Sequence, residues 1–281
     1  MIASVVGVLI GVGVGAALWA TTGSIFAVDA LQRTNFRGRS LPTAVGVLVP
    51  VSVLFVAGVS RVALLAAERS PSWDQLLGAT LVGVIGFGLL GALDDVAGVG
   101  QSGGFRGHLR SAMRGELTSG MVKLLGGAAL GVLVAAPMAT GDGTLVSALR
   151  DGAVVALAAN LANLFDRAPG RAIKVTSVGF VVAALVAQSS TLAAPAVGIG
   201  AGLGLLYPDL RERSMLGDAG ANPLGAMCGM AALSAASTPT ARWLLLVALL
   251  GLNALSEVVS FSRVIESVPA LRWCDRLGRI E

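Results

Sequence analysis

The chain has 281 residues, of which 55% are apolar and only 13% charged, with a mean hydropathy of +0.82. A soluble domain carries about 25% charged residues, so this chain could not cover its own surface in water and a soluble class is excluded. A pI near 9.8 at a net charge of +4 points to basic loops facing lipid headgroups and not to nucleic acid. The two cysteines, Cys228 and Cys274, exclude a disulfide scaffold.

In chain order, nearly charge-free apolar runs of bilayer length predict about nine transmembrane helices. They are 2–22, 43–66, 75–93, 121–138, 147–164, 174–189, 191–207, 221–237 and 241–260. The first run has no basic residue before it, so it is expected to stay as a helix and not to be cleaved as a leader. Gly7, Gly11 and Gly15, and again Gly198 and Gly202, recur every four residues and suit close helix packing. Five longer polar segments separate the runs: 29–42, 94–120, 165–173, 208–220 and 261–281. With their edges they hold 16 of the 20 Lys and Arg residues. The positive-inside tendency places these segments in the cytoplasm. The expected fold is therefore all-α, a polytopic membrane helix bundle forming one domain over 1–281. Its N-terminus lies outside and its C-terminus in the cytoplasm, with the chain multi-pass in the plasma (inner) membrane.

The acids mark a candidate site. Asp94 and Asp95 end the third run, Asp166 ends the fifth, and Asp218 follows the seventh. Three successive cytoplasmic segments thus offer carboxylates at one membrane depth. Ionisable groups at such positions usually face a polar cavity, and adjacent carboxylates repel unless a cation neutralises them. Oxygen ligands of this kind suit Mg²⁺, which keeps waters and shares substrate phosphates. Taken singly, Asp94-Asp95 reads equally well as solvated loop acids, and Gly-Asp-Ala-Gly around Asp218 is common turn chemistry. His108 sits in a basic loop and reads as a solvated histidine. The tail around Leu271-Arg272-Trp273 reads as an interfacial amphipathic helix.

Several motifs resemble the polyprenyl-phosphate N-acetylhexosamine-1-phosphate transferase superfamily, which includes the phospho-N-acetylmuramoyl-pentapeptide transferases. Asn35 to Thr43 resembles its first cytoplasmic loop, and Gly91-Ala92-Leu93-Asp94-Asp95 its Asp-Asp motif. Leu117 to Leu125 resembles a membrane re-entry carrying a lysine. Asn160 to Asp166 resembles the Asn-x-x-Asn-Leu-x-Asp motif, and Met215 to Gly220 the Met-Gly-Asp-x-Gly motif. The resemblance implies Mg²⁺-dependent transfer of a sugar 1-phosphate from a UDP-sugar to a polyprenyl phosphate, with release of UMP, in cell-wall glycan biosynthesis such as that of peptidoglycan. It implies Asp94 and Asp95 as catalytic or metal-handling groups and Asp218 as a Mg²⁺ ligand. Asn160, Asn163 and Asp166 would then stand beside the nucleotide-sugar, with Lys123 on a phosphate. Membrane lipids would surround the bundle, and a homodimer is compatible with the family.

The chain also departs from the pattern. Pro169 stands where the family has a second acid, Arg167 replaces a glycine, and Gly98 replaces a lysine. No histidine cluster occupies the last cytoplasmic segment, and the chain ends at Glu281 where the family usually has a tenth span. Arg263, Arg272 and Arg276 are candidates to bind phosphate instead. These departures keep a second reading open, a catalytically degenerate member that binds lipid or scaffolds the envelope.

Overall fold

The computed structural model describes residues 1–69, 75–97, 119–138 and 144–280. The chain opens with α1 (Ile2–Thr22) and an antiparallel hairpin of β1 (Gln32–Thr34) and β2 (Ser40–Pro42). Then follow α2 (Leu48–Ala66), α3 (Gln75–Ala97), α4 (Ser119–Ala135), α5 (Leu145–Phe165), α6 (Arg171–Ala187) and α7 (Ala193–Gly204). The short α8 (Leu206–Leu210), α9 (Asp218–Ala235), α10 (Pro239–Ser256), α11 (Phe261–Ser267) and α12 (Pro269–Arg276) complete it. In hydrocarbon, each backbone N–H and C=O must find a partner within its own segment, which long helices provide.

Among the described residues, seven helical segments are long and apolar enough to cross a membrane: Ile2–Phe26, Val45–Ala66, Leu76–Ala97, Gly120–Met138, Leu145–Phe165, Ser190–Leu210 and Pro239–Ser256. The protein is therefore membrane-embedded. The other two runs expected to span are also helical, as α6 and α9, but they differ in kind. α6 has 17 residues, about 26 Å of helix, slightly short of a bilayer core of about 30 Å. α9 is rich in small residues, contains Pro223, and is wrapped by α2, α3, α5, α6 and α7. Leu224, Met227, Met230 and Leu233 along it are buried. A helix shielded by other helices needs close packing more than apolar length.

Outer helix faces are apolar and exposed, as at Val178, Val182 and Val186 of α6 and at Leu244 and Val247 of α10. The glycine stripe on α1 does what its spacing predicts. Gly7, Gly11 and Gly15 face Ala193, Val197 and Ala201 of α7, and a Cβ on any of them would strike that helix's backbone.

At the end of the bundle away from the acids, Asp151 of α5 is fully buried. It accepts from Arg150 Nε at 2.7 Å and pairs with Arg242 of α10 through its other oxygen. Arg242 also donates to the carbonyls of Ala236 (3.0 Å), Met138 (3.2 Å) and Leu233 (3.3 Å). Charges in the apolar layer persist only when paired, and this cluster fastens α5, α9 and α10 together.

Candidate site at the carboxylate end of the bundle

α3 reaches through Asp94 and Asp95 to Ala97, so both acids stand on its last turn. α9 begins at Asp218 itself. The two meet because of two glycines. A Cβ on Gly91 would run into the Asp218 carbonyl, so only glycine lets α3 lie against the start of α9. Gly217 has φ +71°, and a Cβ there would stand 2.6 Å from Asp95 Oδ2 and 3.0 Å from the Ala44 nitrogen. Both the left-handed turn and the close approach require glycine.

Asp95 closes this junction. Its Oδ1 accepts the Asp218 N–H and its Oδ2 the Ala219 N–H, each at 3.0 Å. A carboxylate from α3 thus satisfies two of the orphan donors at the N-terminus of α9 and complements that end of its dipole. Lys123, on the first turns of α4, sets its ammonium 3.6 Å from Asp94 Oδ2 and donates to Asp218 Oδ2. Arg33 of the hairpin donates to the Asp95 carbonyl at 2.9 Å and caps the end of α3.

Asp166 follows α5 directly, with the N–H of Gly217 facing its carboxyl group. Burial first, then the charges of Asp209, Asp218 and Asp95, push its carboxyl well above the usual carboxylate range, against the pull of that N–H. Asn163 sits on the last turn of α5, where its carbonyl accepts the Asp166 N–H at 3.0 Å. Asn160, one turn earlier, faces elsewhere. It donates to Asn253 of α10 at 2.7 Å and joins helices away from the acids. The structure thus brings Asp94, Asp95, Lys123, Asp166 and Asp218 together and leaves Asn160 out. His108 and Gly98 lie outside the described residues.

Two further acids, Asp209 and Glu212, organise the same end and were not singled out from the sequence. Asp209, 5% exposed, accepts the Gly170 N–H at 2.5 Å and the Leu216 N–H at 3.2 Å. Glu212, 6% exposed, accepts from Asn35 Nδ2 at 2.8 Å and pairs with Arg37 at 3.1 Å. Both lie in Tyr-Pro-Asp-Leu-Arg-Glu-Arg, where alternating charges read as a solvated loop. Only their folded partners reveal them: backbone N–H groups for Asp209 and the side chains of Asn35 and Arg37 for Glu212. Backbone bonds from Met215 to Pro42 and from Gly46 to Leu216, both 2.8 Å, stitch that loop to the hairpin.

A cavity of about 640 Å³ opens beside Asp166, within the range of small-molecule sites. Thr34, Asn35 and Phe36 form one wall, Asp166 to Pro169 a second, and Ser260, Phe261 and Ser262 a third. The arginines proposed for phosphate are placed differently. Arg276 pairs with Glu266 at an exposed position, and Arg272 reaches the Glu266 carbonyl at 3.5 Å.

Among the described residues, no group of three or more His, Cys, Asp or Glu side chains is arranged to hold a metal. Asp94 and Asp218 do turn toward one shared point, where Lys123 now sits. Two carboxylates on one ammonium leave negative charge in excess. That donor set fits Mg²⁺ held by one or two carboxylates and completed by water and substrate phosphates, not an all-protein cage. No protein-family model matches the chain, and no curated protein matches it.

Proposed function

We propose that the protein transfers a sugar 1-phosphate from a UDP-sugar to a polyprenyl phosphate, with Mg²⁺, at the cytoplasmic face of the plasma membrane. The observation that carries this reading is the convergence of Asp94, Asp95, Asp166, Asp218 and Lys123, drawn from four helices separated in sequence, beside a small-molecule cavity. In this reading the chain crosses the membrane nine times, with α6 as a short pass on the outside of the bundle, α9 as an inner one, and the N-terminus outside.

An oxygen of the lipid phosphate attacks the sugar-bearing phosphorus of the donor. The bond from that phosphorus to the bridging oxygen breaks, and UMP departs with that oxygen. Mg²⁺ on Asp94 and Asp218 would offset charge developing on the phosphates. Lys123 holds a phosphate oxygen as a point charge, turning from Asp218 as it does so. Asp95 keeps α9 and Asp218 in place. Asp166 faces the donor from the cavity wall.

The test is turnover. Purified protein with Mg²⁺, polyprenyl phosphate and a panel of nucleotide-sugars should release nucleoside monophosphate, and Asp218→Asn should lower the rate by about three orders of magnitude or more. No release from any donor would sink the reading. A second reading, a lipid-binding scaffold without turnover, draws on Lys123 already neutralising Asp94 and Asp218. It gains ground if a strain carrying Asp218→Asn behaves as wild type while a deletion strain is defective.

A further inference from the structure

Outside the acid cluster, the C-terminal tail is tied by a dense set of side-chain bonds to the rest of the described chain. Its residues are mostly exposed, yet Asp275 is 7% exposed, as is its partner Arg171 at the start of α6. Arg171 binds Asp275 with both arms of its guanidinium, Nε at 2.8 Å and Nη2 at 2.9 Å, and reaches Ser262 Oγ at 2.7 Å. Arg279 donates to Asp275 Oδ1 at 2.6 Å. Lys174 donates to the carbonyls of Leu277 (2.7 Å), Asp275 (2.9 Å) and Cys274 (3.2 Å). Arg37 of the hairpin donates to the Ile280 carbonyl at 2.8 Å.

These bonds converge on one peptide unit. Arg279 Nε donates to the Pro169 carbonyl at 2.9 Å, and Asp209 accepts the N–H of Gly170 at 2.5 Å. The carbonyl and the N–H belong to the same Pro169–Gly170 peptide, so that unit is gripped from opposite sides. It sits at a left-handed turn, with Gly170 at φ +71°, and the Asp166-to-Pro169 stretch just before it forms a cavity wall. Pro169 has no side-chain acid to offer a ligand, so the backbone of this loop sets the wall's shape.

We infer that Asp275 is a positioning residue: held by Arg171, it aims Arg279 at the Pro169 carbonyl and so fixes the loop 166–170 as the donor-side wall of the cavity. The tail therefore acts on nucleotide-sugar affinity without touching the reacting phosphates. The donor part of this inference rests on the reading under Proposed function; the control of the loop does not.

Hydrogen exchange and nucleotide-sugar binding on the full-length protein test the two parts separately. Arg279→Gln and Asp275→Asn should each raise amide exchange in 166–170 by about tenfold, the loss of one charge-assisted bond. Arg279→Lys, which keeps the charge, should recover part of it. Both disruptive variants should raise the donor Kd or KM by about tenfold while kcat changes less than about twofold. Exchange that rises only within 261–280, with 166–170 unchanged, overturns the inference, as does a fall in kcat at constant KM. Should Asp275→Asn fail to fold, Arg279→Gln near the chain end carries the same test. If the wild-type protein binds no nucleotide-sugar, the donor assignment falls, and the exchange of 166–170 alone decides whether Asp275 positions the loop.

Discussion

Asp95 commits both carboxylate oxygens to the first N–H groups of α9, so replacing it disturbs the scaffold before any chemistry. Asp95→Asn puts an NH₂ against one of those N–H groups and should cost about 1–2 kcal/mol, seen as a lower midpoint for unfolding in detergent. Asp218→Asn keeps a carbonyl oxygen for Lys123 and should leave that midpoint nearly unchanged while turnover collapses. Asp275 gives a pH prediction. Burial works to raise its pKa, but the hydrogen bonds and charge of Arg171, joined by Arg279, outweigh burial and hold it below the ordinary value. A carboxylate with a lowered folded-state pKa contributes stability that is fully present above its unfolded value of about 3.9. That contribution is lost only as pH falls through the lowered folded value. Tail exchange, corrected for its intrinsic pH dependence, should therefore be flat from about pH 8 to about pH 5 and rise below about pH 4. A tail that loosens near neutral pH would show that this pair does not hold it.

At the scale of elements, junctions between helices decide the site. Gly91→Ala places a methyl against the Asp218 carbonyl and should cost about 1–3 kcal/mol as an overpacked contact, with Asp94 drawn away from Lys123. At the far end, Asp151→Ala would leave Arg150 and Arg242 buried without their counter-charge, at a cost of about 3–5 kcal/mol. Chemical unfolding in micelles measures both, and a loss under about 1 kcal/mol for Asp151→Ala would show that the cluster is not a fastener. Helix existence was legible in the sequence, since apolar runs of bilayer length leave the backbone little choice. The pairing of Arg150 and Arg242 with one aspartate was not legible. Both arginines lie inside runs expected to span, and the pairing of Arg242 with Asp151, 91 positions away, leaves no local pattern.

For the whole molecule, the two native cysteines offer a direct test of orientation. Cys274 is exposed on the tail, whereas Cys228 lies within α9 against Gly179. A membrane-impermeant maleimide should label Cys274 only after the membrane is opened, and Cys228 only after denaturation. Labelling of Cys274 on intact cells would invert the proposed topology. The same experiment bears on the tail, which the sequence suggested as a surface helix. Trp273 and Leu271 are exposed, as such a helix requires, yet Asp275 turns inward onto Arg171 and reaches the loop 166–170 through Arg279.

Membrane insertion, helical class and the placing of four acids at helix ends follow from the sequence alone, because run length and charge are local quantities that the bilayer reads one segment at a time. The grouping of those acids, with Lys123 between Asp94 and Asp218, was decided by tertiary structure, since it depends on glycine-allowed contacts between α3 and α9 and on the packing of α4 beside them. The same holds for the roles of Asp209, Glu212 and Asp275. A buried carboxylate is distinguished from a solvated one only by the distant backbone and guanidinium groups that fold onto it, and no spacing in the chain encodes those partners.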